Sequence, residues 1–506
     1  MSIVLVLLGF AIMLVLMFLS MPVAVSIVAV GALGGYLMFG MPLVDMMGGV
    51  IWSSLNSPAI LAIPLFMLLG ELLLRGGIAD RMYDALAVWL GRTPGGLLHT
   101  NIATCTLFSA TSGSSVATAA TVGTIALPAL QQYKYPMRPA LGSLAAGGTL
   151  GILIPPSINL LVYGSLANAS VGQLFAAGLI PGLLLAFCFS LYIFFAHRDA
   201  GSEAAGLVDM PLREKLALSK YLVPPLIIFG VVMGSIYGGL ATPTESAAIG
   251  VVIALVFVAF SGRMSVEPLV TCSLLAARTT GMVVIVLMCA LLLNVTISMT
   301  GAAQAVTHWV ASFGLDRLSL LLVLLVFYIV LGTFMDAMSM LVLTVPIAVP
   351  MVVAVGVDPI WFGIFIVLMC EIALITPPLG MNLFVVQGVR RDGGSFSDVM
   401  WGAVPYVFVM IAFTLLVMVF PGIVMWLPDL MAGRGCRPPP PKGGGGPPAP
   451  PSSTPTPTRR SPRRSGAPRW RPRRGARRST SPTRRAAPSR SNRRATAPKP
   501  CRMSSR

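Results

Sequence analysis

Long apolar runs separated by short polar connectors dominate the chain up to about residue 430. The runs at 3–20, 22–40, 58–74, 179–196, 221–239, 246–261, 282–299, 319–334 and 404–426 each approach the roughly 20 apolar residues that one helix needs to cross a bilayer. The pattern predicts an all-α, polytopic membrane protein of about a dozen hydrophobic elements. The first run has no basic leader and no small-residue cleavage site, and a second run follows at once, so it reads as a retained helix rather than a secretory signal. Residues 75–96 behave differently: Ile78, Met82, Ala85, Leu86 and Trp89 recur at helical spacing with charges on the opposite face. That is the pattern of an amphipathic helix lying in the membrane interface.

Composition sharpens this picture. Hydrophobic residues make up 56% of the chain and charged ones 10%, against about 45–50% and 25% in soluble domains, which excludes a water-soluble globular protein. The formal net charge of +18 belongs to the end of the chain. Residues 434–506 hold 21 Lys/Arg and no Asp/Glu, leaving 14 basic and 17 acidic residues before them. The domain reading is therefore a membrane body at 1–432 and a disordered Arg/Pro-rich tail at 433–506, with too little apolar surface to fold. Such a tail could bind anionic lipid or nucleic acid. Out-of-frame translation of a GC-rich gene would spell the same residues, and the abrupt switch after "FPGIVMWLPDLMAG" favours this second reading. No nucleic-acid partner is expected, and the lipid bilayer is the solvent. In the body, Lys/Arg gather at Arg75/Arg81/Arg92, Lys134/Arg138, Arg198/Arg213/Lys215/Lys220, Arg263/Arg278 and Arg390/Arg391, loops that the positive-inside rule places in the cytoplasm.

Seven cysteines show no CxxC pairing, and His99, His197 and His308 stand far apart outside any HExxH motif. Neither a disulfide framework nor a zinc site is indicated. No GxxxxGK[ST] loop occurs in the body, so no nucleotide site is expected, and no nucleophile–base pair or aspartate dyad marks an intramembrane hydrolase. The chain reads as no enzyme and needs no cofactor.

An internal repeat carries more information. "LGILIPPSINLLVYG" precedes "AAGLIPGLLLAFCF", and "ALITPPLGMNLFVVQG" precedes "WGAVPYVFVMIAF". Pro155–Pro156 and Pro377–Pro378 are offset by 222 residues, and Pro181 and Pro405 by 224. These near-equal offsets predict duplicated halves at about 1–200 and 221–430, inverted in the membrane, with re-entrant hairpins near 100–128 and 331–355. Paired interruptions at matching places in two halves point to a transporter's binding site. Each half has two such interruptions: residues 108–128 and 147–159 in the first, 330–346 and 374–382 in the second. Paired prolines free backbone carbonyls, and broken backbone survives at membrane depth only inside protein or beside a wet cavity. Carbonyls with Ser and Thr hydroxyls make a hard-oxygen site for a small cation, while half-helix N-termini favour an anion. Small-residue runs also serve plain helix packing; four in two matched pairs favour a site. Of the ionisable residues in apolar segments, Asp336 lies in an interruption and is a functional candidate. Glu245 reads as the partner of Thr242 in a capping box, and Glu371 as a residue bonding nearby backbone.

At these residues the body resembles a known family, the large membrane subunit of tripartite ATP-independent periplasmic (TRAP) transporters. The resemblance rests on "FSATSGSSVATAATVG", "AAGGTLGILIPPSINLLVYG", "GGLATPTESAAIG", "LGTFMDAMSMLVLTVPI", "CEIALITPPLGMNLFVVQGV" and "PGIVMWLPDL", in order over about residues 1–430. It implies an elevator, with a scaffold and a moving transport domain that carries two helical hairpins. It also implies sodium-coupled import of a small organic anion across the bacterial inner membrane, with a small four-helix membrane subunit and a periplasmic substrate-binding protein as partners. Matched residue by residue, one sodium site would use Ser109, Ser112 and carbonyls near Gly151, Ile154 and Pro156. The other would use Gly332, Thr376 and carbonyls around Met381 and Asn382. Substrate would lie near Ser112, Gly113, Ser114, Ser115, Asn159, Asp336 and Asn382. "DAMSM" after Asp336 departs from the Pro- or Thr-rich continuation expected there. The alternative is a self-sufficient sodium-coupled dicarboxylate or ion permease of related fold, which would lack neighbouring genes for the two partners.

Overall fold

The computed structural model describes residues 3–19, 21–197, 211–260 and 266–431, which hold no strand. The expectations for 433–506 lie outside the described residues. The chain first forms α1 (Ile3–Phe18), α2 (Val23–Val28), α3 (Gly34–Phe39), α4 (Met41–Leu55), α5 (Pro58–Arg75) and α6 (Ile78–Leu90). Then come α7 (Leu97–Ser112), α8 (Ser115–Gln132), α9 (Met137–Thr149), α10 (Ile158–Ala167) and α11 (Val171–Ala196). After these follow α12 (Leu212–Ser219), α13 (Val223–Tyr237), α14 (Pro243–Phe260), α15 (Val266–Thr300) and α16 (Ala302–Ala311). The chain continues through α17 (Arg317–Gly332), α18 (Ala337–Ala354), α19 (Pro359–Ile375), α20 (Met381–Val389), α21 (Phe396–Val419) and α22 (Gly422–Met431). The starts of α16 to α21 follow those of α6 to α11 by 220 to 225 residues, so the order of helices and breaks recurs.

Six helices among the described residues are long and apolar enough to cross a membrane, and α4 with α5 makes a seventh if this pair, bent by 47°, counts as one span. Large apolar side chains such as Leu37, Trp52, Phe260 and Phe408 are exposed, as a protein solvated by lipid tails allows. Two sequence expectations need correction. The run 404–426 divides into α21 and α22, because Pro421 has no N–H to continue the α21 ladder. The run 319–334 falls on α17, which does not stand alone as a crossing helix: the Tyr328 hydroxyl donates to Thr344 Oγ1 at 2.8 Å. Sixteen residues of continuous helix would span about 24 Å, so the chain must reverse at Thr333–Asp336. The second hairpin is thus α17 with α18, and it begins earlier than the sequence suggested. The first, α7 with α8, packs arm on arm.

Helix α6 forms as expected, with Met82, Tyr83 and Ala85 buried and Asp80, Arg81 and Asp84 exposed. Trp89 is exposed and donates to Ser219 Oγ at 2.9 Å, because it sits at the edge of the apolar face. Glycines join the two halves: a Cβ on Gly142 of α9 would stand 2.0 Å from the Gly402 carbonyl oxygen of α21, and one on Gly402 2.1 Å from that of Arg138. Next to this crossing, Asp398 Oδ1 accepts from Arg138 Nε at 3.0 Å while its Oδ2 lies 3.4 Å from Arg390 Nη1. Two basic loops that sequence assigned to the cytoplasm therefore meet at one end of the molecule. The capping box is present, with Glu245 Oε2 accepting from Thr242 N at 2.8 Å and Thr242 Oγ1 from Glu245 N at 3.3 Å.

Candidate cation and substrate site

The first hairpin turns at Gly113, whose φ of +62° is easy only for glycine. Ser114 caps α8, its Oγ accepting from Ala117 N at 3.4 Å. Thr118 donates its hydroxyl proton to Ser114 O at 2.7 Å. Its oxygen is then the acceptor for Ser112 Oγ, 2.9 Å away. This tip rests on the break between α9 and α10. A Cβ on Gly151 would lie 2.6 Å from Ser114 O and 2.8 Å from Ser115 N, and one on Gly113 2.6 Å from Pro156 O. Backbone meets backbone here because glycine leaves the space. Residues 151–160 are all buried. Ser157 caps α10 by accepting from Leu160 N at 3.4 Å, and it donates to Ile152 O. The side chain of Ile154 points at Gly182 of α11, which leaves only its carbonyl for a ligand. Ser109 is fully buried with an unpartnered Oγ, and Asn159, 5% exposed, has an unpartnered Nδ2.

The second half builds a looser counterpart. Asp336 caps α18, accepting from Met338 N and Ser339 N at 3.1 Å each and from the Ser339 hydroxyl. Cys370 Sγ holds the start of α18 through Ala337 O at 3.3 Å, and Gly332 approaches Ala373 so closely that an added Cβ would stand 2.6 Å from its Cβ. After α19 the Thr376 hydroxyl donates to Ile372 O at 2.6 Å, and Gly380 N donates to Thr376 O at 3.1 Å. Pro378, Leu379 and Met381 are exposed, so Met381 too offers a cation only its carbonyl. Asn382, the second residue of α20 as Asn159 is of α10, is fully buried. Its Nδ2 donates to Ala145 O of α9 at 3.3 Å, which fixes the amide orientation and leaves Oδ1 without a partner.

The two breaks meet through α9. A Cβ on Gly148 would lie 2.7 Å from Ala119 Cβ of the first hairpin and 3.2 Å from Asn382 Nδ2. The structure thus gathers Ser112, Gly113, Ser114 and Ser115 with Gly151 and Pro156, and brings Asn382 to the same helix. Gly332 and the Asp336-capped start of α18 lie against Ala373 and Cys370 of α19, and Thr376 follows at the end of that helix. Sequence reasoning missed Thr118, whose hydroxyl organises the tip, and the Ala145 carbonyl, which a sequence cannot single out. Glu371 departs from expectation: it is fully buried, yet neither carboxylate oxygen has a hydrogen-bond partner, because neighbouring helical amides are already used in the α19 ladder.

Unpartnered buried oxygens at Ser109 and Asn382, with carbonyls freed at both breaks, suit a hard monovalent or divalent cation. Among the described residues no group of three His, Cys, Asp or Glu could hold a metal ion, and none of the break segments contains Lys or Arg.

Residues 10–423 match the family model described as tripartite ATP-independent periplasmic transporter, DctM component. The C4-dicarboxylate TRAP transporter large permease protein DctM of Pseudomonas aeruginosa is 36% identical over 373 residues, covering 73% of this chain and 86% of that one. The sialic acid TRAP transporter large permease protein SiaM of Vibrio cholerae is 30% identical, covering 83% and 97%. Of solved structures, the YdaH transporter of Alcanivorax borkumensis aligns with a TM-score of 0.57 at 14% identity, over 76% of this chain and 90% of that one. The helical fold is therefore of a known transporter type, and relatives of this chain are permeases rather than enzymes. The chain belongs to the DctM family, the large permease components of tripartite ATP-independent periplasmic transporters, multi-pass proteins of the bacterial inner membrane.

Proposed function

We propose that this chain is the translocating subunit of a sodium-coupled importer of a small organic anion, with a periplasmic binding protein delivering substrate and a small four-helix membrane subunit completing the system. The two halves lie inverted in the membrane, and a transport domain that carries the α7–α8 and α17–α18 hairpins together with the site moves as an elevator against a scaffold that holds still. One observation carries the cation reading: buried, unpartnered oxygens occur at both breaks, Ser109 Oγ in the first half and Asn382 Oδ1 in the second. A buried polar atom without a partner is unfavourable by about 1–3 kcal/mol, and a bound sodium ion relieves it. Ser109, Ser112 and the carbonyls of Gly151, Ile154 and Pro156 form one sodium site. Gly332, Thr376, the carbonyls of Met381 and Asn382 and the Asn382 side-chain oxygen form the other.

Substrate lies between them, near Ser112–Ser115, Asn159, Asp336 and Asn382. No Lys or Arg stands in these segments, so the sodium ions and the half-helix N-termini of α10 and α20 balance the anion's charge. The carboxylate classes named for the relatives, C4-dicarboxylate and sialic acid, fit such a site. The test is uptake by the reconstituted three-component system with Ser109→Ala and, separately, Asn382→Leu. Each variant is expected to need at least tenfold more sodium for half-maximal uptake. Unchanged sodium dependence in both would remove the cation sites from these breaks.

A further inference from the structure

We propose that Gly70 of α5 is a positioning residue for the cation site at the first break: its bare backbone is the outer seat of the first hairpin tip. This inference rests on the reading of Ser109 and Ser112 as cation ligands. A Cβ on Gly70 would stand 3.1 Å from both the Cα and the carbonyl oxygen of Ser112, inside the roughly 3.5–4.0 Å of favourable contact. Ser112 ends α7, so its carbonyl is one of the four for which the helix provides no amide. The seat therefore touches the very backbone that the tip has free for a ligand.

Something must yield if a side chain is added, and the surroundings decide what. Helix α5 is held from several sides. A Cβ on Gly250 of α14 would lie 3.2 Å from Leu69 Cδ2, Cys272 Sγ of α15 donates to Glu71 O at 3.5 Å, and Phe66 meets Phe175 of α11 edge-on at 6.1 Å. The tip is also held by Gly151, whose backbone approaches Ser114 O and Ser115 N. A methyl at position 70 thus pushes Ser112 by a few tenths of an ångström, enough to spoil oxygens that must converge on one ion. Backbone conformation does not call for glycine here, since Gly70 lies inside regular helix without a positive φ. In such a place alanine is the better helix former. Close approach to the tip is what the glycine provides.

The experiment follows the melting temperature of the purified membrane complex as sodium replaces potassium at constant ionic strength. Gly70→Ala should melt in potassium at or above the wild-type temperature, yet require at least fivefold more sodium for half of the sodium-induced shift. Gly70→Val should require more still. Gly230→Ala in α13, where a Cβ meets nothing within 4 Å, should match wild type in both readings. An unchanged sodium midpoint in Gly70→Ala, whatever its melting temperature in potassium, overturns the seat. Absence of any sodium shift in the wild type overturns the sodium reading itself, a result distinct from failure of the Gly70 proposal.

Discussion

Tyr328 and Thr344 hydrogen-bond at 2.8 Å across the Thr333–Asp336 turn, and this contact makes a hairpin of two helices that look like independent segments. Both residues are buried, and Thr344 also donates to Met340 O at 2.7 Å. Tyr328→Phe should therefore lower stability by about 0.5–1.5 kcal/mol, the net worth of one such bond, and leave the sodium concentration for half-maximal uptake unchanged. Thermal melts paired with uptake assays check both halves of this expectation.

The crossing of α9 and α21 sets a stricter demand. Added Cβ atoms at Gly142 and Gly402 would collide with backbone atoms at 2.0 and 2.1 Å, which cannot rotate away as side-chain ends do. Gly402→Val should lose well over the roughly 1–3 kcal/mol of ordinary overpacking and yield little monodisperse protein. Gly388→Ala, which meets nothing within 4 Å, should purify normally. Size-exclusion profiles decide the comparison.

Thr376 precedes Pro377–Pro378 and donates to Ile372 O at 2.6 Å, leaving its oxygen lone pairs for a cation. Thr376→Val keeps the shape and removes that proposed ligand. A loss of about 1–3 kcal/mol corresponds to roughly tenfold to a hundredfold weaker sodium binding. If Thr376 served packing alone, the sodium concentration for half-maximal uptake would stay at the wild-type value.

The proposed inversion of the halves predicts sidedness. Arg138 and Arg390 share Asp398, so cysteines at Lys134 and Arg391 should react with impermeant reagents from the cytoplasmic face only. Phe313, exposed just before α17, should react as cysteine from the opposite face. Labelling of all three from one side would remove the inversion.

Much of this was legible in the sequence because broken helices leave chemical marks. Proline pairs, glycines and hydroxyls announced the four interruptions, and Gly113 and Ser114 then turned the first hairpin where expected. The arm α17 was not legible as such, since an apolar hairpin arm and a spanning helix have the same composition. Only the four residues Thr333–Asp336, with Asp336 capping α18, reverse the chain. The Asn382 contact with Ala145 O joins residues 237 apart, and nothing in a carbonyl's sequence marks it as an acceptor. Glu371 reads as a residue that finds backbone partners, whereas the completed α19 ladder leaves it none.

Truncation after Ala432 should leave insertion and uptake intact, because the sequence beyond it has no apolar periodicity and the family match ends at residue 423. Membrane yield and transport of the shortened chain check this, and loss of either would assign the tail a function.

The central claim is cation coupling at the paired breaks, and uptake of the binding protein's ligand by proteoliposomes holding both membrane subunits tests it most directly. With sodium outside and no ATP, the ligand should accumulate, and replacing that sodium by potassium should abolish accumulation. Undiminished uptake in sodium-free buffer would contradict the account.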